Sequence, residues 1–81
     1  MTYRFLVLIE KGPTSYGAYS PDVPGCIAVG DTVEETLQLM QEALQGHLEL
    51  MAQDGDAMPQ ANHIAAQFVE IELPATATAK S

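Results

Sequence analysis

The chain has 81 residues, of which 47% are hydrophobic, and its eleven acidic residues against three Lys or Arg residues give a formal net charge of −8 at pH 7. This length allows one small domain, and the hydrophobic content excludes an intrinsically disordered chain. The scarcity of Lys and Arg argues against direct binding to DNA or RNA, because phosphate contacts depend mainly on these residues, and it favours either a basic partner or simple solubility.

Three short strands are predicted in the first third of the chain. The first, Thr2–Glu10, is rich in strand-forming residues and carries large apolar side chains on both of its faces. We therefore expect it to be covered on both sides. Tyr16–Ser20 is the predicted second strand and Cys26–Val29 the third. Because the links between them are short, neighbouring strands should pair antiparallel.

The segment between the second strand and the following helix is dense in turn and capping signals. Asp22–Gly25 is predicted to form a tight turn, since it contains Pro and Gly at turn positions. Thr32 and Glu35 have the spacing of a capping box, in which the two side chains satisfy each other's backbone amides. The residues expected to carry these structural roles are Tyr19, Pro21, Asp22, Pro24, Gly25, Gly30, Asp31, Thr32 and Glu35.

A long amphipathic helix and a last strand are predicted to follow. Apolar residues recur every three or four positions over Val33–Gln53, and Asp54–Gly55 supplies a helix-ending Gly. His63–Leu73 alternates apolar and acidic side chains as a strand would, and Pro74 ends it. The predicted fold is therefore α+β in the order β-β-β-α-β, an antiparallel sheet with one helix on one face. Residues 1–74 form the domain and residues 75–81 a flexible tail.

The predicted fold indicates an oligomeric state, and the composition indicates a location. One helix covers only one face of the sheet, so the apolar residues on the other face indicate a homo-oligomer, either a dimer or a tetramer. Cys26 is the only cysteine, which leaves no intramolecular disulfide and fits a reducing compartment. No signal-peptide pattern and no apolar run of about 20 residues occurs, so we expect a cytoplasmic protein without a membrane segment.

The ordered string from Tyr19 to Glu35, followed by Glu42-Ala43 and by Gly55-x-x-Met58-Pro59, resembles the HicB antitoxin family over roughly residues 3–73. The resemblance implies a domain similar to a reduced RNase H fold. It also implies a partner, a small basic HicA-type ribonuclease toxin whose active surface the antitoxin masks. Many family members carry a C-terminal DNA-binding segment. Only seven residues follow Pro74, so the chain resembles the short, solitary form and no such segment is expected.

The likeness to RNase H raises the alternative of a residual metal-dependent nuclease. Such chemistry needs several carboxylates around paired metal ions, and Asp22, Asp31 and Glu35 are the candidates. Each has a structural role that explains it without catalysis, in a turn, at the positive end of the helix dipole, or in the cap. The two histidines lack the further His or Cys ligands of a zinc site. The sequence therefore predicts no catalytic, metal-binding or cofactor-binding residue.

The acidic residues with the fewest structural duties are candidates for contact with a basic toxin, although a solvated surface explains them equally well. They are Glu34, Glu42, Glu49, Glu70 and Glu72. Three hypotheses follow: an antitoxin-like protein that acts by binding alone, a solitary homo-oligomeric module without a toxin, and the residual nuclease. A neighbouring reading frame for a small basic protein with a single His would favour the first, and its absence the second.

Overall fold

Three strands and one helix make up the regular structure of the protein, for which a computed structural model describes residues 2–74. The strands are β1 (Leu8–Lys11), β2 (Tyr16–Ser20) and β3 (Val23–Gly30), and the helix is α1 (Val33–Gln53). The strands form one antiparallel sheet in the order β1-β2-β3. The predicted α+β class is confirmed, whereas the tail predicted for residues 75–81 lies outside the described residues.

The first strand is shorter than predicted at its N-terminal end. We expected a strand over Thr2–Glu10, but β1 begins at Leu8. Leu8 pairs with Tyr19 of β2, and this is the pair at the N-terminal end of β1. Beyond Tyr19, β2 has one more residue before the chain turns, so residues 2–7 have no neighbouring strand to bond with among the described residues. Strand propensity alone cannot form a strand, because strand hydrogen bonds require a second chain segment.

The predicted turn is also displaced. The structure turns at Pro21–Asp22 rather than over Asp22–Gly25, and β3 begins at once afterwards. The pairing of β2 with β3 is irregular between Tyr19 and Ser20, which leaves extra residues in β3 as a bulge. Gly25 lies in this bulge with a φ of 84°, a conformation that side chains disfavour. Pro24 and Gly25 therefore shape the strand rather than the turn.

The helix has the bounds that the sequence predicted. Thr32 is its N-cap, and the Thr32 Oγ1 atom accepts a hydrogen bond of 3.0 Å from the Glu35 backbone amide. This is the first of the two bonds of the predicted capping box. The Thr36 hydroxyl adds a second tie by donating to the Thr32 carbonyl oxygen at 2.6 Å. At the other end Asp54 is the C-cap, and Gly55 follows with a φ of 76°.

The core lies between α1 and one face of the sheet. Met40 is completely buried at its centre, and Thr36 is the other buried residue of α1. Burial raises the pKa of the Cys26 thiol, which keeps it protonated as a small core residue. The core cluster consists of Ala18, Val23, Cys26 and Met40, with Phe5, Val7, Ile9, Ala28, Ala43 and Leu44 packed against it.

The strand predicted at His63–Leu73 is not formed in the described structure. Residues 56–74 contain neither strand nor helix, and every residue from Gln60 to Pro74 is exposed. The alternating pattern is real, but no strand lies beside this segment to accept its hydrogen bonds. We call residues 64–73 the C-terminal arm. The Cα radius of gyration is 16.3 Å, well above the roughly 12 Å of a compact chain of this length, which agrees with a segment whose side chains are exposed.

Candidate partner-binding surfaces

Asp22 connects the β2–β3 turn to the base of the C-terminal arm. Its side chain is only 5% exposed and accepts a hydrogen bond of 3.0 Å from the His63 backbone amide. The second carboxylate oxygen lies 2.7 Å from His63 Nδ1. Burial by itself would raise the pKa of the Asp22 carboxyl, but the hydrogen bonds and charge interaction with His63 outweigh it and lower the pKa. No local pattern in the sequence indicates this contact, because 41 residues separate its partners.

Asp22→Asn is expected to loosen the base of the arm. The substitution removes the charge that favours both bonds to His63, so the His63 amide should exchange its hydrogen several-fold faster. Because the folded-state pKa is lowered, the contact stabilises the protein above the unfolded value of about 3.9 and is lost as the pH falls through the folded value. Hydrogen exchange between pH 7 and pH 3 measures both effects. Asp31→Asn, at an exposed position, is the control, and equal exchange rates in the two variants would contradict the prediction.

The three carboxylates of the nuclease hypothesis serve different neighbours. Asp22 faces His63, whereas Asp31 and Glu35 are exposed at the start of α1. Within residues 2–74, no group of three His, Cys, Asp or Glu side chains is placed to hold a metal ion. No helix in this part of the chain combines the length and apolar character that crossing a membrane requires.

The exposed face of α1 is acidic. The helix contains four glutamates and neither Lys nor Arg, and Glu34, Glu42 and Glu49 are all exposed as the partner-binding prediction requires. Glu42 and Glu49 are seven residues apart, so they lie on the same side of the helix about 10 Å from each other. Gly46 lies between them, and because it has no side chain, the helix surface is open at this position. The resulting hollow is lined by Gln41, Glu42, Gln45, Gly46 and Glu49.

A hydrogen bond orders one wall of this hollow. Gln45 Nε2 donates to the Glu49 carboxylate at 2.6 Å across one helical turn. The bond holds the Glu49 side chain along the helix and still leaves its second oxygen available. Nothing lies within 4 Å of a Cβ atom built at Gly46. The acidic face, which we define as Glu34, Glu42 and Glu49, is therefore open to a partner.

The sheet face away from α1 is a second open surface, and it is apolar. Ile27 is 68% exposed and Val29 61% exposed on β3, next to the exposed Tyr19 of β2. Leu8 of β1 extends the same face through its pairing with Tyr19. Apolar side chains were predicted to face away from the helix, and the described chain leaves them uncovered. A contiguous apolar face of this kind is typical of an interaction site.

The C-terminal arm presents the remaining predicted partner residues. Glu70 and Glu72 are exposed and alternate with Val69, Ile71 and Leu73, which are exposed as well. The structure thus divides the five candidate glutamates between two separate elements. Three lie on α1 and two on the arm.

Comparison with known proteins adds to this geometry. A family profile described as the HicB-like antitoxin of a bacterial toxin–antitoxin system matches residues 5–78. The chain is similar to "Antitoxin HicB 2" of Photorhabdus laumondii, at 32% identity over 95% of this chain and 54% of that protein. It is also similar to the "Uncharacterized 14.9 kDa protein in rep-hol intergenic region" of Haemophilus phage HP1, at 40% identity over 72% of this chain and 44% of that protein.

A third relative is a UPF0150 protein of Synechocystis sp., at 34% identity over 70% of this chain and 73% of that protein. The chain thus spans less than half of the phage protein and about half of the Photorhabdus protein. No solved structure matches the chain.

Proposed function

The chain belongs to the HicB-like antitoxin family of bacterial toxin–antitoxin systems, and from this premise we propose that it binds and masks a basic, mRNA-cleaving toxin of the HicA type. In this proposal the chain acts by binding and catalyses no reaction. The complex forms in the cytoplasm, where mRNA is located. The exposed acidic face of α1 is the observation that carries the proposal beyond the family, because it is a surface without positive charge that a basic protein can approach.

Electrostatic complementarity supports the acidic face as the contact. A toxin that binds RNA presents Lys and Arg side chains for phosphates, and these side chains also pair with carboxylates. The hollow over Gly46 has a carboxylate at either end, Glu42 and Glu49, so it fits a long basic side chain lying along the helix. The net charge of −8 adds long-range attraction that accelerates association at low salt. A toxin held in this way has its RNA-binding surface covered.

Reversing the charge at the hollow is expected to weaken toxin binding. The double variant Glu42→Lys/Glu49→Lys places like charges against a basic surface, so the Kd for a HicA-type toxin encoded beside this chain should rise at least about tenfold at low salt. The effect should shrink as the salt concentration rises, because screening weakens exposed charges. Titration calorimetry with a catalytically inactive toxin at low and high salt measures both quantities.

Asp54→Lys/Asp56→Lys is the matched control. It changes the net charge by the same amount at exposed positions just beyond the end of α1. We expect it to lower the association rate slightly and to leave the dissociation rate unchanged. Equal losses of affinity in the two double variants would place the contact outside the hollow. Glu70→Lys/Glu72→Lys asks the same question of the arm, and an unchanged affinity removes those two residues from the toxin interface.

The uncovered sheet face favours a second candidate function, a homo-oligomeric module of the same family without a toxin. We propose self-association for both candidates, because Ile27 and Val29 remain exposed on the face that α1 does not cover. The neighbouring reading frame separates the two candidates. A small basic protein that copurifies with this chain supports the antitoxin, and the absence of such a frame supports the solitary module. RNA cleavage assays with manganese test the residual nuclease. Among the described residues, no cluster of carboxylates supports this activity.

A further inference from the structure

We propose that the C-terminal arm of one copy pairs with the N-terminal segment of a second copy, residues 2–8, and adds a strand to its sheet. The inference deepens the proposed self-association and rests on it, since it names the two segments that meet. Exchange of identical elements between two copies is a common route to a symmetric dimer. The donor, the acceptor and their charges support it independently.

The arm has the properties of a strand that lacks its sheet. It is ten residues long, which corresponds to about 33 Å when extended. Its large apolar side chains are at least 70% exposed, with Ile64 91% exposed and Phe68 fully exposed. Burying a side chain of this size contributes roughly 1.5–3 kcal/mol relative to leaving it exposed, so a partner that covers several of them gains substantially. Solitary exposed apolar residues are ordinary, but five large ones within ten residues are not.

The N-terminal segment is a matching acceptor. β1 is the edge of the sheet, and residues 2–7 pair with no strand in the described part of the chain. Edge strands with free backbone groups readily accept an added strand. A groove runs beside this segment, between it and α1, and Tyr3, Phe5 and Leu44 are among the side chains that line it. An added strand would direct every second side chain into that groove.

The charges select one register. Arg4 and Lys11 are the basic residues of the N-terminal segment and β1, whereas the arm carries only Glu70 and Glu72. An antiparallel register that places Glu70 opposite Arg4 also places Phe68 opposite Leu6. Residues directly opposite each other in an antiparallel pair point to the same face.

The same register brings apolar side chains together on the other face. Val69 lies opposite Phe5 and Ile71 opposite Tyr3, so these two apolar side chains of the arm point toward the groove. Charge complementarity and hydrophobic pairing therefore agree on a single alignment. A register shifted by one residue would turn Val69 and Ile71 away from the groove.

The anchor at Asp22 prevents the arm from reaching this register on its own β1. If the β1–β2 register were extended beyond the Leu8–Tyr19 pair, the β2–β3 turn would lie level with Leu6. His63 is bonded to Asp22 in this turn, so His63 lies at the same level. The proposed register requires His63 to lie opposite Lys11, five residues away and thus about 17 Å along the strand. The β1 edge of a second copy carries no such restriction. In the proposed register, the occupant of the edge is therefore a second copy of this chain.

Charge placed on the arm tests the contact in the full-length chain. Sedimentation velocity of the wild type should show a dimer, and Ile71→Asp should raise the dimer Kd at least about thirtyfold by putting a charge into the groove. Gln60→Asp adds the same charge at an exposed position before the arm and should leave the Kd unchanged. Because Ile71 is exposed in the single chain, its substitution does not threaten the fold of the monomer.

A charge exchange separates pairing between copies from pairing within one copy. Arg4→Glu and Glu70→Arg alone each put like charges in contact, so each variant should dimerise about tenfold more weakly. When the two variants are mixed, both contacts of the mixed dimer again join Arg to Glu, and dimerisation should return. Recovery on mixing requires that the two residues belong to different chains.

Each outcome bears on a stated claim. If the wild type is still monomeric at about 100 μM, both the proposed self-association and the proposed pairing of the arm with a second copy are wrong. A dimer that Ile71→Asp leaves intact overturns the arm contact and retains self-association through another surface, such as the outer sheet face. If dimerisation does not return when the two charge variants are mixed, the arm contacts residues of its own chain. If only added toxin protects the arm from hydrogen exchange, the arm contacts the toxin instead. Toxin affinity is measured separately, so the proposed antitoxin activity stands or falls without this test.

Discussion

Met40→Ala is expected to cost about 2–5 kcal/mol of unfolding free energy, the range for truncating a fully buried large side chain. Met40 has no exposed surface and joins α1 to Ala18, Val23 and Cys26 of the sheet. Thr36 is the only other buried residue of α1, and Leu44 packs against the core while partly exposed, so Met40 is the only large side chain of the helix that the core encloses completely. A domain of this size has roughly 4–12 kcal/mol of total stability. Loss of this side chain should therefore leave a substantial fraction of the molecules unfolded.

Urea unfolding followed by circular dichroism measures this loss, together with a fall in Tm of at least about 10 °C. Met40→Leu is the control, because it nearly conserves volume and should cost less than about 1.5 kcal/mol. A Met40→Ala protein as stable as the Met40→Leu protein would show that the helix is held elsewhere, for example by a second copy. Repeating the measurement at several protein concentrations tests that explanation directly.

Gly30→Ala is expected to destabilise the protein by about 1–3 kcal/mol or more, because the start of α1 packs directly on the end of β3. A Cβ atom at this position would lie 2.7 Å from Thr36 Oγ1 and 3.0 Å from the Thr36 backbone nitrogen. Thr36 cannot move freely, since it is buried and its hydroxyl bonds to the Thr32 carbonyl oxygen. The added methyl group must therefore displace the first turn of the helix. Gly30 is needed for close approach rather than for an unusual backbone angle.

Gly46→Ala is a control with the opposite expected sign. It is the same substitution in the middle of an exposed helix face, where nothing lies within 4 Å of the new Cβ atom. It should stabilise the protein by up to about 1 kcal/mol through helix propensity. Thermal unfolding of both variants measures the difference. A Gly30→Ala variant with the wild-type Tm would contradict the close packing of β3 against α1.

The packing around Gly30 and Met40 could be predicted only in part from the sequence. The motif around Gly30 predicted a strand that leads into a helix, and the apolar stripe placed Met40 toward the core. Neither pattern indicated that Gly30 is pressed against Thr36, because that contact depends on the angle at which the chain enters α1. The role of a motif residue thus became specific only when its neighbour was known.

The candidate partner surface was predictable to a similar degree. Glu34, Glu42 and Glu49 were chosen as acidic residues with few structural duties on a predicted helix, and the structure leaves all three exposed on that helix. Glu70 and Glu72 were assigned to a strand that the described chain does not form, so their surroundings were wrong. Helical periodicity predicts exposure well because the helix satisfies its own hydrogen bonds, whereas a strand depends on a neighbour.

The sequence by itself determined the α+β class and both ends of α1, since the N-cap Thr32, the stripe of apolar residues and the Gly at 55 act over a few residues. Only the tertiary structure decided where β1 begins and that Asp22 holds His63, because these depend on groups far apart in the chain. It also decided that the arm forms no strand within the described part of its own chain. Local signals specify local hydrogen bonds, but the pairing of distant segments is set by which edges the folded chain can reach.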